Sequence, residues 1–334
     1  MISKEGLTLR QTEGSGVCHL AQAIEEDLRN RKTGLQKPHV PALSDLVACA
    51  LTTRSVNSGE WIVQLPRNEC NREAKERYIM RFLANPLVCP LHVMGGFVPE
   101  LLENLSRQGE TIVFMLDQSK LADGLECLMV SVRFGERALP VGWRVIETEG
   151  EIGFRIQKML LESVFSFIPS GISILLSADR FYGTASLIDW CQRHGWQYRI
   201  RLKGNLNLQH EGGELTTGEA VNLGMKAMCN ARLGHVTTHI GIIQEAGHPE
   251  PWIIAMDAEP NKGRILDYGM RWGIEALFSD LKSRGFGIIH THLKQPDRIE
   301  RLLLILAVAT YWAVSTAMTL KENETLTSPK NNAA

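Results

Sequence analysis

The chain has 334 residues, an apolar fraction of 44% and a formal net charge of −1. That length supports a sizeable core and two or three domains or subdomains, and the near-neutral balance weighs against a protein held to nucleic acid by bulk charge. The seven cysteines (Cys18, Cys49, Cys70, Cys89, Cys127, Cys191 and Cys229) form no C-x-x-C pair, which argues against a disulfide scaffold or zinc ribbon and for thiols in a reducing compartment.

Residues 1–15 are polar and glycine-containing, and are expected to be loose. They lack the apolar stretch of a signal peptide, so the expected location is cytoplasmic. From 16 to 105 the apolar spacing is helical, as in "VCHLAQAIEEDLRN" and "ALSDLVACALTTRS". "NREAKERYIMRFLANP" is a basic helix carrying Arg72, Lys75, Arg77 and Arg81; it suits either a DNA-facing surface or a solvated cap.

The period then changes. "ETIVFMLDQSKL" reads as a buried strand running into Asp117, and "LECLMVSVRFGERALPVGWRVIE" as two strands with a turn near Gly135. A helix ("FRIQKMLLESVFSFI"), a strand into Asp179 ("GISILLSADRFYG"), a helix ("TASLIDWCQRHG") and a strand ("WQYRIRLKGNL") follow. Strand, strand, strand, helix, strand, helix, strand predicts an α/β layer, a hydrophobic sheet covered by helices, across 106–203. Residues 204–258 are glycine-rich with short β-like pieces, a β insertion.

Residues 262–284 contain no proline and predict one helix. At about 100° per residue, Tyr268, Arg271, Glu275 and Lys282 share one stripe, while Ile274, Leu277, Phe278 and Leu281 form a separate apolar arc. An ordinary amphipathic helix with an Arg271–Glu275 ion pair fits the same spacing. "LLLILAVATYWAVSTAMTL" (302–320) is uncharged and nearly long enough to span a bilayer, but its threonines and serine favour a central buried helix. The tail, 322–334, is low in apolar residues and expected to be disordered.

Asp117 and Asp179 each close an apolar strand, a position equally suited to a simple Asx-turn. If the two strands are neighbours and Glu275 is carried over them, three carboxylates converge and require cations. Hard oxygen ligands select Mg²⁺ or Mn²⁺, and two such ions suit in-line attack at a phosphate. Arg271 and Lys282 lie on the stripe of Glu275. Arg199, Arg201 and Lys203 alternate along one strand and so project to one face, a local basic strip that phosphate binding needs more than a high total charge.

Tyr268-x2-Arg271-x3-Glu275-x6-Lys282, with "RWGIEALFSDLKSRGFG" and "LLSADRFYGTASLIDWCQRHGWQYRIRLKGN", resembles the bacterial DDE transposases of the insertion-sequence-four group. The likeness runs from about residue 35 to residue 320, more weakly in the N-terminal third. It implies a ribonuclease-H-like core (106–203 and 259–321) with a β insertion (204–258), behind an N-terminal helical domain (16–105). It implies Asp117, Asp179 and Glu275 as metal-binding catalytic residues, Arg271 and Lys282 as contacts to transposon-end DNA, and Tyr268 as a phosphate contact. Cleavage at the element's terminal inverted repeats and strand transfer into target DNA by a homodimer in a synaptic complex are the implied activity. Some members flip a base at a hairpinned end; Trp252 or Trp272 would serve, with Trp272 expected in plain core packing. Gln118-Ser119 and Phe181-Tyr182-Gly183 depart from the family text without removing a ligand. A decayed copy that only binds DNA, and a nuclease that cuts without joining, are the alternatives.

Overall fold

A computed structural model describes residues 16–327 except 108, 123, 245 and 246. The expected loose start (1–15) and the end of the expected tail (328–334) lie outside the described residues. The helices are α1 (Gly16–Asn30), α2 (His39–Thr53), α3 (Ser58–Gln64), α4 (Arg72–Leu83), α5 (Pro90–Met94), α6 (Val98–Leu105), α7 (Phe154–Phe165), α8 (Ala185–Arg193), α9 (Thr217–Asn222), α10 (Lys262–Leu266), α11 (Gly273–Leu281) and α12 (Pro296–Thr327). The strands are β1 (Ile112–Ala122), β2 (Leu125–Phe134), β3 (Arg137–Glu147), β4 (Ile174–Ala178), β5 (Gln197–Arg201), β6 (Asn207–His210), β7 (Gly213–Thr216), β8 (Ala227–Leu233), β9 (Val236–Ile243) and β10 (Trp252–Met256). The chain divides into two compact units, Met1–Gly96 with Asp280–Ala334, and Phe97–Ser279.

The first unit is helical. α2 is apolar on almost every side, with Leu43, Leu46, Val47, Ala48, Cys49 and Ala50 fully buried, as a central helix must be. α12 packs against α2, α4 and α5, and Leu302 through Ala309 are buried in an unbroken run. Pro296–Met318 is long and apolar enough to cross a membrane by length and composition, but its packing is that of a core helix. Arg301 fixes its start: the guanidinium donates to the carbonyl of Leu83 (2.9 Å), an acceptor that the end of α4 leaves open, and to that of Val88 (3.1 Å) in the loop before α5. The units divide elsewhere than the sequence boundaries, since 280–321 groups with the N-terminal helices through this apolar surface. α12 also continues to Thr327, into the segment expected as tail, because "KENETL" consists largely of good helix formers.

The second unit is built on one ten-stranded sheet of order β3-β2-β1-β4-β5-β10-β9-β8-β6-β7. β1, β2 and β3 form an antiparallel meander, β4 and β5 run parallel to β1, and β10 is antiparallel to β5. The predicted order appears as β1, β2, β3, α7, β4, α8 and β5, the ribonuclease-H-like mixed sheet with flanking helices. The strands from 207 to 256 extend this same sheet beyond β5, rather than standing apart from it. β3, at one edge, contains Pro140, and β7, at the other, is four residues long.

Two details fix the geometry beside β4. Register pairs Leu116 of β1 with Ala178 of β4, so Asp117 and Asp179 follow matched positions on adjacent parallel strands. The turn after Asp179 then presses Gly183 onto β5, where an added Cβ would lie 2.5 Å from the Arg201 carbonyl oxygen. Because that obstacle is backbone, Gly183→Ala should destabilise the protein by about 1–3 kcal/mol, read from denaturant unfolding; an unchanged midpoint would contradict this packing.

Candidate active site

Asp117 does not end its strand, as the apolar run suggested. β1 continues to Ala122 in antiparallel pairing with β2, and what ends at Leu116 is the parallel ladder with β4. Asp179 does follow the last residue of β4 and opens a 3-10 turn, Arg180–Tyr182. Each carboxylate is oriented locally: Oδ1 of Asp117 accepts the Gln118 N–H at 2.8 Å, and Oδ1 of Asp179 accepts the Arg180 N–H at 2.6 Å.

The predicted single helix over 262–284 is three pieces, α10, a 3-10 turn at Asp267–Trp272, and α11. Gly273 marks the join; an added Cβ there would sit 3.0 Å from the Arg137 carbonyl oxygen. In a 3-10 turn residues i and i+3 eclipse, so Tyr268 and Arg271 stand side by side, and Arg271 Nε donates to the Tyr268 hydroxyl at 3.1 Å. The apolar arc of Ile274, Leu277, Phe278 and Leu281 is buried as expected.

These pieces bring the three acids under two shared side chains. Arg271 Nη1 donates to Asp117 Oδ2 at 2.7 Å, and Nη2 to Glu275 Oε1 at 2.6 Å. The Tyr268 hydroxyl donates to Asp179 Oδ1 at 3.3 Å. The side chains of Arg271 and Asp117 are 7% and 14% exposed, that of Glu275 57%, so the cluster has a buried end and an open end. Burial pushes the Asp117 carboxyl up to about 6; Arg271 and the Gln118 N–H pull it down, while the charges of Asp179 and Glu275 add to the rise. For Arg271, burial opposes the charge, but Tyr268, Asp117, Asp179 and Glu275 together hold it above its ordinary value. Burial likewise raises the Tyr268 phenol, to about 12.

The other expected cations differ in depth. Arg199 is buried; its guanidinium holds Asp257 (2.7 Å) and the Arg264 carbonyl (2.9 Å), and lies 3.7 Å from Asp267. It therefore fastens α10 and the 3-10 turn to the sheet, and the expectation of a DNA contact does not suit it. Tyr268 is also buried, so it is a ligand of acids here rather than of an exposed phosphate. Lys282 comes after α11 ends, in the stretch grouped with the first unit. Arg201 and Lys203 do reach a cavity of about 560 Å³, with Arg180, Phe181, Asn205 and Glu250.

Sequence reasoning missed three members of that cavity wall. Glu250 accepts from both Arg180 (2.9 Å) and Arg201 (3.3 Å), and Phe181 is an exposed ring with Lys203 Nζ 5.2 Å above it. The departure at Phe181-Tyr182 was the available signal. Gln118, the other departure, accepts the Ile152 N–H (3.0 Å) and donates to the Gly150 carbonyl (3.0 Å), pinning the loop after β3. Trp252, not Trp272, is the core tryptophan: it packs edge-on against Tyr268 at 5.2 Å, whereas Trp272 is 43% exposed and stacks on His248.

The donor set, three carboxylates, suits a hard divalent cation. Among the described residues no three His, Cys, Asp or Glu side chains stand close enough together to hold a metal, and oxygens of Asp117 and Glu275 are engaged by the guanidinium. The fit is thus one of chemistry, with Arg271 as the present counter-ion.

Residues 157–312, just under half of the chain, match the family model of the transposase DDE domain, which supports a DDE transposase. The match takes in Asp179, Arg271, Glu275 and Lys282 and leaves Asp117 outside. No curated protein matches the chain. Among solved structures it is similar to the Argonaute of Marinitoga piezophila, in complex with 5′ OH guide RNA and target DNA, at 10% identity and a TM-score of 0.25 over 70% of this chain and 34% of that one. The chain spans about a third of that protein's length.

Because the folded Asp117 holds its proton to about pH 6, against about 3.9 when unfolded, its contribution to stability is present at low pH and lost as pH rises through that window. The metal-free unfolding midpoint of the wild type, relative to Asp117→Asn, should therefore fall between about pH 4 and pH 6 and level off above. Parallel midpoints across that range would refute the raised carboxyl.

Proposed function

We propose that the chain is a transposase of the insertion-sequence-four group, cutting DNA at the ends of its own element and joining the freed 3′ ends to a target. The observation that carries this reading is the gathering of Asp117, Asp179 and Glu275 around one arginine–phenol pair at the end of a parallel ladder. Its occurrence beside the DDE-domain match supports phosphodiester chemistry.

In this reading Asp117, Asp179 and Glu275 hold Mg²⁺ or Mn²⁺, in one ion or two. When bound, the cation supplies activation of an attacking oxygen and charge relief at the leaving oxygen. The protein's own groups do the rest. Backbone N–H groups fix the two aspartates, and Tyr268 orients Asp179. Arg201 and Lys203 line a strand path along the adjoining cavity, with Glu250 and Glu151 as their respective counter-ions until phosphates arrive. Half-exposed Trp272 offers a face on which an unpaired base stacks. The exposed arginines of α4, Arg72, Arg77 and Arg81, suit recognition of the terminal repeats, and a homodimer pairs two ends in a synaptic complex.

The deciding experiment is Mg²⁺-dependent cleavage of duplex DNA carrying the element's own ends. Asp179→Ala and Glu275→Gln should abolish cutting while leaving DNA binding in place; wild-type cutting by Glu275→Gln would remove the triad assignment. Lys203→Ala should weaken binding across sequences and lower its salt slope by about one counterion, measured by titration at several salt concentrations. An unchanged slope would take Lys203 off the strand path.

A further inference from the structure

We infer that Arg271 is an exchangeable counter-ion that closes the acidic cluster until a DNA phosphate draws it away, so that DNA and divalent cation bind cooperatively. This rests on the reading of Asp117, Asp179 and Glu275 as cation ligands.

The geometry is specific. Three different nitrogens of one guanidinium are used: Nη1 on Asp117, Nη2 on Glu275 and Nε on the Tyr268 hydroxyl. Through that hydroxyl the same arginine is linked to Asp179. The second oxygen of Asp117 already accepts the Gln118 N–H. A divalent cation entering the cluster must therefore compete with a buried positive charge for Asp117 and Glu275. Simple addition would place two cations against one set of carboxylates in a poorly screened site.

The exchange partner follows from the chemistry of the guanidinium. Its planar fork accommodates carboxylate and phosphate alike, so a phosphate is the ligand for which it gives up carboxylates at least cost. The open end of the cluster is at Glu275, 57% exposed and held by Nη2, so the guanidinium reaches from the buried acid to the side from which a phosphate would approach. Withdrawal of the guanidinium toward that phosphate frees Asp117 and Glu275 together. Linkage then requires reciprocity: whatever factor DNA adds to cation affinity, the cation adds to DNA affinity.

The test is Mn²⁺ binding, followed by the electron paramagnetic resonance signal of the free ion, with and without a pre-cleaved duplex carrying the element's end. Wild type, Arg271→Gln, Arg271→Lys and Asp117→Asn are compared after far-UV circular dichroism confirms their fold. The wild type should bind Mn²⁺ about tenfold more tightly with DNA than without, within the usual span of coupling. Arg271→Gln should bind Mn²⁺ about tenfold more tightly than wild type in the absence of DNA, with little further gain when DNA is added. If Arg271→Gln does not fold, Arg271→Lys, whose ammonium cannot span both acids as a fork, should show the same direction. Equal Mn²⁺ affinity of DNA-free wild type and the folded Arg271 variants, with binding lost in Asp117→Asn, would overturn the counter-ion role and leave the cation site standing. Mn²⁺ binding that is absent everywhere, or indifferent to Asp117→Asn, would instead remove the cation site and this inference with it.

Discussion

A carboxylate placed on the face of a buried sheet is the constraint around which the second unit is arranged. Asp117 sits between Leu116 and Gln118 in β1, 14% exposed, where an unpaired charge is too costly to keep. Arg271 answers it, and Arg271 has to be delivered from 154 residues further along the chain. The delivery device is the 3-10 turn, which is itself held down twice. Arg199 grips the Arg264 carbonyl and Asp257 from beneath, and Trp252 in β10 supports Tyr268 edge-on. Removing any of these supports acts on the acids through the positions of the Arg271 guanidinium and the Tyr268 hydroxyl.

Much of this was legible in the sequence, and the parts that were not share a physical cause. Apolar runs and their punctuation gave the strand–helix order through Arg201, because burial of both sheet faces leaves a strong composition signal. The spacing from Tyr268 to Glu275 located the polar stripe. Periodicity, however, averages over a break, so it showed one helix where Gly273 and the approach of Arg137 enforce a change of pitch. Alternation predicts Arg199, Arg201 and Lys203 on one face, but β5 ends at Arg201 and depth varies along the segment: the Arg199 side chain is buried against α10, while Lys203 is 40% exposed. The fate of 207–256 was hidden for a different reason. Short strands do not announce their neighbours, and only the pairing of β10 with β5 makes them part of the main sheet.

The near-zero net charge also reads differently once the pairs are in place. Cations near the acids are each engaged by specific oxygens: Arg180 and Arg201 share Glu250, Lys203 meets Glu151 at 3.2 Å, and Arg271 bridges Asp117 and Glu275. A total of −1 is thus a sum over local pairs, with cations held ready by carboxylates that a polyanion can displace. Glu250 is 59% exposed, and exposed pairs of this kind contribute little to stability, so giving them up costs the fold little.

Among the described strands the sheet is bordered by β3 and β7, and each carries a feature that restrains growth. Pro140 in β3 lacks the N–H that a ladder needs, and β7 offers only four residues. The right-handed twist accumulated over so many strands further separates the two borders in direction. Strand addition by a second copy is thus restrained by a missing donor at one border and by shortness at the other. Both features work against β-type aggregation, which spreads by adding strands to long, regular edges.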